Sequence, residues 1–104
     1  MKLMTKEIQN QIPSLYETEE LPQHRVYAKY FHPFSNWTWY ACEFDADQGL
    51  FFGLVEGHYT EMGYFSLAEL ESINIAGLPI ERDLHWNNEV TIEEIKLVKG
   101  YGDI

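Results

Sequence analysis

Trp37–Phe65 reads W-T-W-Y-A-C-E-F-D-A-D-Q-G-L-F-F-G-L-V-E-G-H-Y-T-E-M-G-Y-F, three apolar-aromatic runs broken at Asp45–Gly49 and Gly57–Tyr59. Aromatic and β-branched side chains pack well across a pleated surface, whereas Asp and Gly end strands, so the stretch predicts antiparallel strands over 37–44, 50–56 and 60–65. Strict alternation sets Trp37, Trp39, Ala41 and Glu43 on one face, and Thr38, Tyr40, Cys42 and Phe44 on the other. Asp45–Gly49 is the hairpin turn, too short for a parallel crossover. Leu50–Val55 is nearly all apolar and reads as a central strand covered on both faces; Gly53 within it marks a bulge or a close backbone approach.

The flanking sequence reads as cover for that sheet. Arg25–Phe31 alternates, with Val26, Ala28 and Tyr30 on one side, until His32-Pro33 stops it. Thr5 caps a short N-terminal helix that Pro13 ends. Ser66-Leu67-Ala68-Glu69 and Thr91-Ile92-Glu93-Glu94 are capping boxes. They predict helices over 66–73, burying Leu67, Leu70 and Ile73, and over 92–99, turning Ile92, Ile95 and Val98 inward before Gly100 stops the second. Ile80–Trp86 alternates and is expected as a fifth strand near a sheet edge. The fold class is α+β: one domain over 1–104, an antiparallel β-meander of four to five strands, with the short helices packed against one face.

Composition excludes several functions. Seventeen acids oppose seven bases for a formal net charge of −10. The bases (Lys2, Lys6, Arg25, Lys29, Arg82, Lys96, Lys99) are scattered, so direct nucleic-acid binding, which rests on clustered Lys and Arg neutralising phosphates, is not expected. Nor is docking on an anionic membrane. No apolar run approaches the ~20 residues of a membrane span. Met1–Glu7 turns polar too early for a signal peptide, and Cys42 is the sole cysteine. A cytoplasmic location follows as the expectation.

Several segments together resemble a small bacterial family, domain-of-unknown-function family 2958. They are Lys2–Glu7, P-S-L-Y (Pro13–Tyr16), K-Y-F-H-P (Lys29–Pro33), N-W-T-W-Y (Asn36–Tyr40), F-F-G-L-V (Phe51–Val55), E-M-G-Y-F-S-L-A-E-L (Glu61–Leu70) and L-P-I-E-R-D-L-H-W (Leu78–Trp86). The resemblance implies a small α+β fold, often encoded on plasmids and other mobile elements. It implies no activity and carries no catalytic residue over.

Glu81, Asp83 and His85 fall at alternate positions of the expected fifth strand, where they would form a polar row ~6.7 Å apart. Carboxylate and imidazole together suit a divalent metal or acid–base work. A solvated strand face, with Arg82 paired to an acid such as Glu61, is the favoured reading, since polar side chains are mostly exposed. Glu61 sits in an apolar-aromatic strand, where such a pair with Arg82 or Lys29 is commonly structural. Trp37 and Trp39 share a face and would stack a sugar or base if exposed; in a chain of this length paired aromatics normally serve the core. His58-Tyr59-Thr60-Glu61 lacks a second histidine at metalloprotease spacing, Ser66 and Ser72 lack a nucleophile elbow, and no glycine loop cradles phosphate. No metal or cofactor is expected.

The expected function is therefore a non-enzymatic protein-interaction module. It would present an anionic surface (Glu17, Glu19, Glu20, Asp45, Asp47), phosphate-mimicking in its sharpest form, to a basic or DNA-handling partner. The alternative is a small hydrolase or metal-dependent enzyme using Glu61, Glu81, Asp83 and His85. Because Leu54 lies in the least polar strand, Leu54→Ala is expected to destabilise by about 2–5 kcal/mol. A loss under about 0.5 kcal/mol in urea unfolding would place the core elsewhere.

Overall fold

The capping residues act where the sequence puts them. In a computed structural model of residues 1–104, Thr5 Oγ1 accepts the Ile8 amide at 3.1 Å and opens α1 (Lys6–Gln11). Ile12, just before Pro13, is already extended, as the proline ring demands. Ser66 Oγ accepts the Glu69 amide at 2.9 Å to begin α2 (Leu67–Ser72). Thr91 Oγ1 accepts the Glu94 amide at 3.1 Å to begin α3 (Ile92–Lys99), which stops at Gly100 in the left-handed region (φ 72°).

Between α1 and α2 run β1 (Ala28–Phe31), β2 (Thr38–Asp45), β3 (Leu50–Glu56) and β4 (Thr60–Ser66); after α2 come β5 (Asn74–Ile75), β6 (Leu78–Pro79) and β7 (Glu81–Arg82). The main sheet is antiparallel with order β4-β3-β2-β1-β7, while β5 and β6 form a separate small hairpin. This is the expected α+β meander, with a fifth strand at its edge. That fifth strand is shorter than the alternation of Ile80–Trp86 predicts. The Asp83 carboxylate accepts the His85 amide at 2.9 Å, so the chain turns and only Glu81–Arg82 pairs with β1.

Strict alternation fails in β2, and Gly53 marks the place. The register steps from Ala41↔Gly53 to Glu43↔Phe52, a bulge that inserts one extra residue opposite β3. A Cβ on Gly53 would overlap the Tyr40 carbonyl, so glycine is what lets the two strands approach. Beyond the bulge the faces exchange. Phe44 joins Trp39, Ala41 and Phe51, while Glu43 turns to the side of Tyr40, Cys42 and Leu54. β3 is an interior strand covered on both faces, as its apolar run predicts, and β2, in the middle of the sheet, is buried from Trp39 to Phe44.

Both faces of the sheet are covered, where the sequence reading expected one. One core gathers Tyr30, Trp39, Phe51, Phe65, Leu70 and Ile80, with Ile8 of α1, Leu67 of α2 and Ile73 just after it packed on it. The other gathers Val26, Tyr40, Cys42 and Leu54 with Ile92 and Ile95 of α3. Val26 departs from the Ala28 and Tyr30 face because regular pairing begins only at Ala28, and its amide is taken by the Val90 carbonyl at 2.9 Å. Val98, expected to turn inward, is 84% exposed: only Ile92 and Ile95 of α3 are buried.

Gly53 and Gly63 are direct cross-strand partners with opposite surroundings, since a Cβ on Gly63 would meet nothing within 4 Å. Gly53→Ala is expected to cost about 3 kcal/mol or more in urea unfolding. Gly63→Ala should fall within about 0.5 kcal/mol of wild type. Equal losses would show that the close approach at Gly53 is not what fixes the bulge.

Candidate functional site

The exchange of faces delivers Glu43 into a cleft of about 320 Å³ between the sheet, α3 and the 16–19 segment. Glu43 is only 4% exposed and has no cationic side chain within 4 Å. Its carboxylate is held by donors from one turn: Tyr16 N–H at 2.9 Å, Thr18 N–H at 3.0 Å and the Thr18 hydroxyl. A buried carboxylate is costly without such bonds, and three donors, two of them amides, can stabilise it. Tyr16 adopts φ 70°, unfavourable for a non-glycine residue, in the geometry that aims its amide at Glu43.

The opposite wall is α3 and its anchor. Glu93 accepts the His24 amide at 2.8 Å and lies 3.0 Å from His24 Nδ1, while the Ile92 amide donates to the His24 carbonyl at 2.8 Å. Burial works to raise the Glu93 pKa, but the His24 side-chain and backbone bonds outweigh it and hold the carboxyl below its ordinary value. Cys42, Phe52, Met62 and Tyr64 form the floor, and Lys96 stands at the rim. Burial, with Glu43 and Glu93 adding to it, pushes the Cys42 thiol far above its usual range. It is thus a protonated core thiol and no nucleophile. The cleft therefore combines aromatic and apolar surface with fixed carboxylates, a setting suited to a cationic side chain with an apolar stem.

Further along the same face, Glu56 ties α3 to the sheet. It accepts from Tyr40 OH at 3.0 Å, Lys99 Nζ at 2.7 Å and Tyr101 OH. Burial alone would raise the Glu56 pKa; the bonds from Lys99, Tyr101 and Tyr40 overcome this and lower it. Burial chiefly, then the Glu56 charge, pushes Tyr40 up to about 12.

The residues singled out from sequence disperse. Glu61 is exposed on β4 and Arg82 lies in β7, the two outer strands, so they do not pair; Arg82 Nε donates to the Lys2 carbonyl at 3.0 Å. Glu81 sits opposite Phe31, while Asp83 and His85 occupy the turn beyond it, so the expected row is broken. No three His, Cys, Asp or Glu side chains converge to hold a metal ion. Trp37 and Trp39 stack at 5.7 Å over the core on the α2 side. Glu17, Glu19 and Glu20 are exposed, and Asp45 and Asp47 sit close by: Ser14–Tyr16 and Asp45–Gln48 line one depression. Glu43, Glu56, Glu93 and His24, which build the cleft and its brace, were missed. The available signal was Gly53, since a bulge opposite it reverses the side to which Glu43 points.

No helix is long and apolar enough to cross a membrane. The family model described as "Protein of unknown function (DUF2958)" matches residues 3–100, and the chain belongs to that family. No curated protein and no solved structure matches it.

The lowered folded-state pKa values of Glu56 and Glu93 fix the sign of the acid dependence. Their stabilisation is complete above the ordinary glutamate value, roughly 4.3, and is lost as pH falls through the lowered values. Glu56→Gln is expected to cost about 1–2 kcal/mol at pH 7, a modest figure because Lys99 is partly solvated. It should also flatten the fall in stability between about pH 5 and 3. Urea unfolding across that range checks both; an unchanged acid limb would remove Glu56 from the stabilising set.

Proposed function

We propose that this DUF2958 protein is an interaction module that presents an anionic surface to a basic protein partner. One observation carries the reading: of its seventeen carboxylates, only Glu56 has a lysine or arginine within 4 Å, and Glu93 has the His24 imidazole. Three of the seven bases are turned to neutral groups instead: Arg25 binds Asn88 and lies over Tyr27, Lys29 lies over Tyr40 and Trp86, and Arg82 binds the Lys2 carbonyl. The acidic field is thus left for an external cation to compensate. Glu19 lines the cleft with Glu43 and Glu93, and Asp45 and Asp47 line a neighbouring depression that shares Tyr16 with it.

Imitation of a phosphate backbone does not support the reading. Asp45 ends β2 while Asp47 lies in the turn, and Asp83 lies beyond β7, so strand-spaced carboxylates do not recur. General attraction to Lys and Arg is what the arrangement supports. Nothing gathers Glu61, Glu81, Asp83 and His85 into the single concave site that the enzymatic alternative needs.

Association with an arginine-rich peptide is expected to slow steeply with salt, as the Debye length shortens from about 8 Å at physiological strength to about 3 Å at 1 M, while dissociation changes less. Asp45→Asn with Asp47→Asn should slow association without lowering the Tm, because Asn keeps the Oδ1 acceptor that receives the Asp47 amide at 3.0 Å. Salt-independent association in stopped-flow measurements would reduce the charge to a solubility device.

A further inference from the structure

The two edges of the sheet are treated differently. At the β7 edge, the Arg82 amide meets Met1 Sδ at 3.0 Å and its guanidinium binds the Lys2 carbonyl, so the N-terminal segment covers it. At the other edge β4 runs for seven residues, paired with β3 along its whole length in unbroken register. No turn, loop or side-chain hydrogen bond reaches a backbone group of Thr60–Ser66. Edge strands are ordinarily blunted by proline, lysine, a bulge or a covering segment. T-E-M-G-Y-F-S carries only Glu61.

A cleft lies on each side of this open edge. On the α3 side is the carboxylate-bearing cleft, into which Met62 and Tyr64 project. On the α2 side is a depression of about 310 Å³, mostly apolar, lined by Trp37, Val55, Phe65, Leu70 and Ile73 but also by Glu61 and Glu69. Tyr64, 51% exposed, borders both. A strand added to an edge sends successive side chains to opposite faces, so one such strand would reach both clefts at once.

Resting on the anionic-surface reading, we infer that the β4 edge is where the partner engages. An extended segment of a basic protein adds as a sixth strand, sending Arg or Lys toward Glu43 and Glu93 and apolar side chains toward Trp37 and Leu70. Charge selects this occupant over a second copy of the chain, because two copies at −10 each repel.

The test uses a seven-residue peptide of alternating arginine and valine, and two versions N-methylated at alternate amides, one for each edge of the extended peptide. N-methylation blocks pairing along one edge and leaves charge unchanged. By fluorescence anisotropy the parent and one methylated form should bind alike, while the other loses at least about tenfold, the equivalent of one or two backbone hydrogen bonds. Hydrogen exchange should show new protection confined to β4 amides. Tyr64→Ala, half-exposed and so expected to fold, should weaken the parent peptide about tenfold through lost cation–aromatic contact. If all three peptides bind equally, augmentation is overturned and the anionic-surface reading survives. If none binds, both fall. Protection of β4 that grows with protein concentration in the absence of peptide would assign the edge to a second copy and overturn the proposal.

Discussion

The close approach of Gly53 to the Tyr40 carbonyl is the constraint on which the rest of the structure depends. A side chain on residue 53 would push β2 and β3 apart at the point where β2 carries its extra residue. That residue decides which side of the sheet every later position of β2 faces. Without it, Phe44 would leave its contact with Phe51, whose ring centroid lies 4.5 Å away, and Glu43 would enter an aromatic core as an unsatisfied charge. With it, Glu43 faces α3 and meets the amides of Tyr16 and Thr18. The cleft wall is therefore a consequence of a backbone contact on the neighbouring strand.

The α3 face shows how a chain this acidic binds its last helix. Charged and polar anchors flank the apolar contacts of Ile92 and Ile95: Glu93 with His24 at the helix start, Glu56 with Lys99 and Tyr101 at its end. In each, a carboxylate accepts several bonds, so its desolvation is offset locally. Lys99 also lies over Tyr40, 5.8 Å from the ring centroid, and Lys29 approaches the same ring within 6.0 Å. Cations drawn to aromatic rings are cations not compensating surface acids. The interior of this face and the uncompensated exterior are thus linked through a short supply of bases.

The secondary structure was legible because it is written in local chemistry. Thr5, Ser66 and Thr91 cap helices, Gly100 ends one, and the turns at Asp45–Gly49 and Gly57–Tyr59 separate strands. What escaped depends on partners distant in sequence. Alternation in Ile80–Trp86 suits a strand, and the Asp83 amide still donates to the Lys29 carbonyl at 2.9 Å; the Asp83 carboxylate then takes the His85 amide, and the chain turns away although β1 continues to Ala28. Helices on both faces follow from a sheet whose β2 has no solvated side, which periodicity in single segments cannot display. Of the cleft, Cys42 and the aromatic floor fall on readable strands. Glu43 was assigned to the wrong face because Gly53 gave the presence of a bulge and not its position on the opposing strand.

Net charge and the bare β4 edge bear on each other. An uncovered seven-residue strand with a single charged side chain invites pairing between copies, which is why such edges are rare in isolation. Local guards act only at contact, whereas a field from −10 acts over a Debye length and opposes the approach of any second copy before strands meet. It draws in a basic chain over the same distance. One global property can therefore keep the edge free of self-pairing and bias it toward an oppositely charged strand. Covering both edges would have made the acidity unnecessary for this purpose, and the N-terminal segment covers only the one at β7.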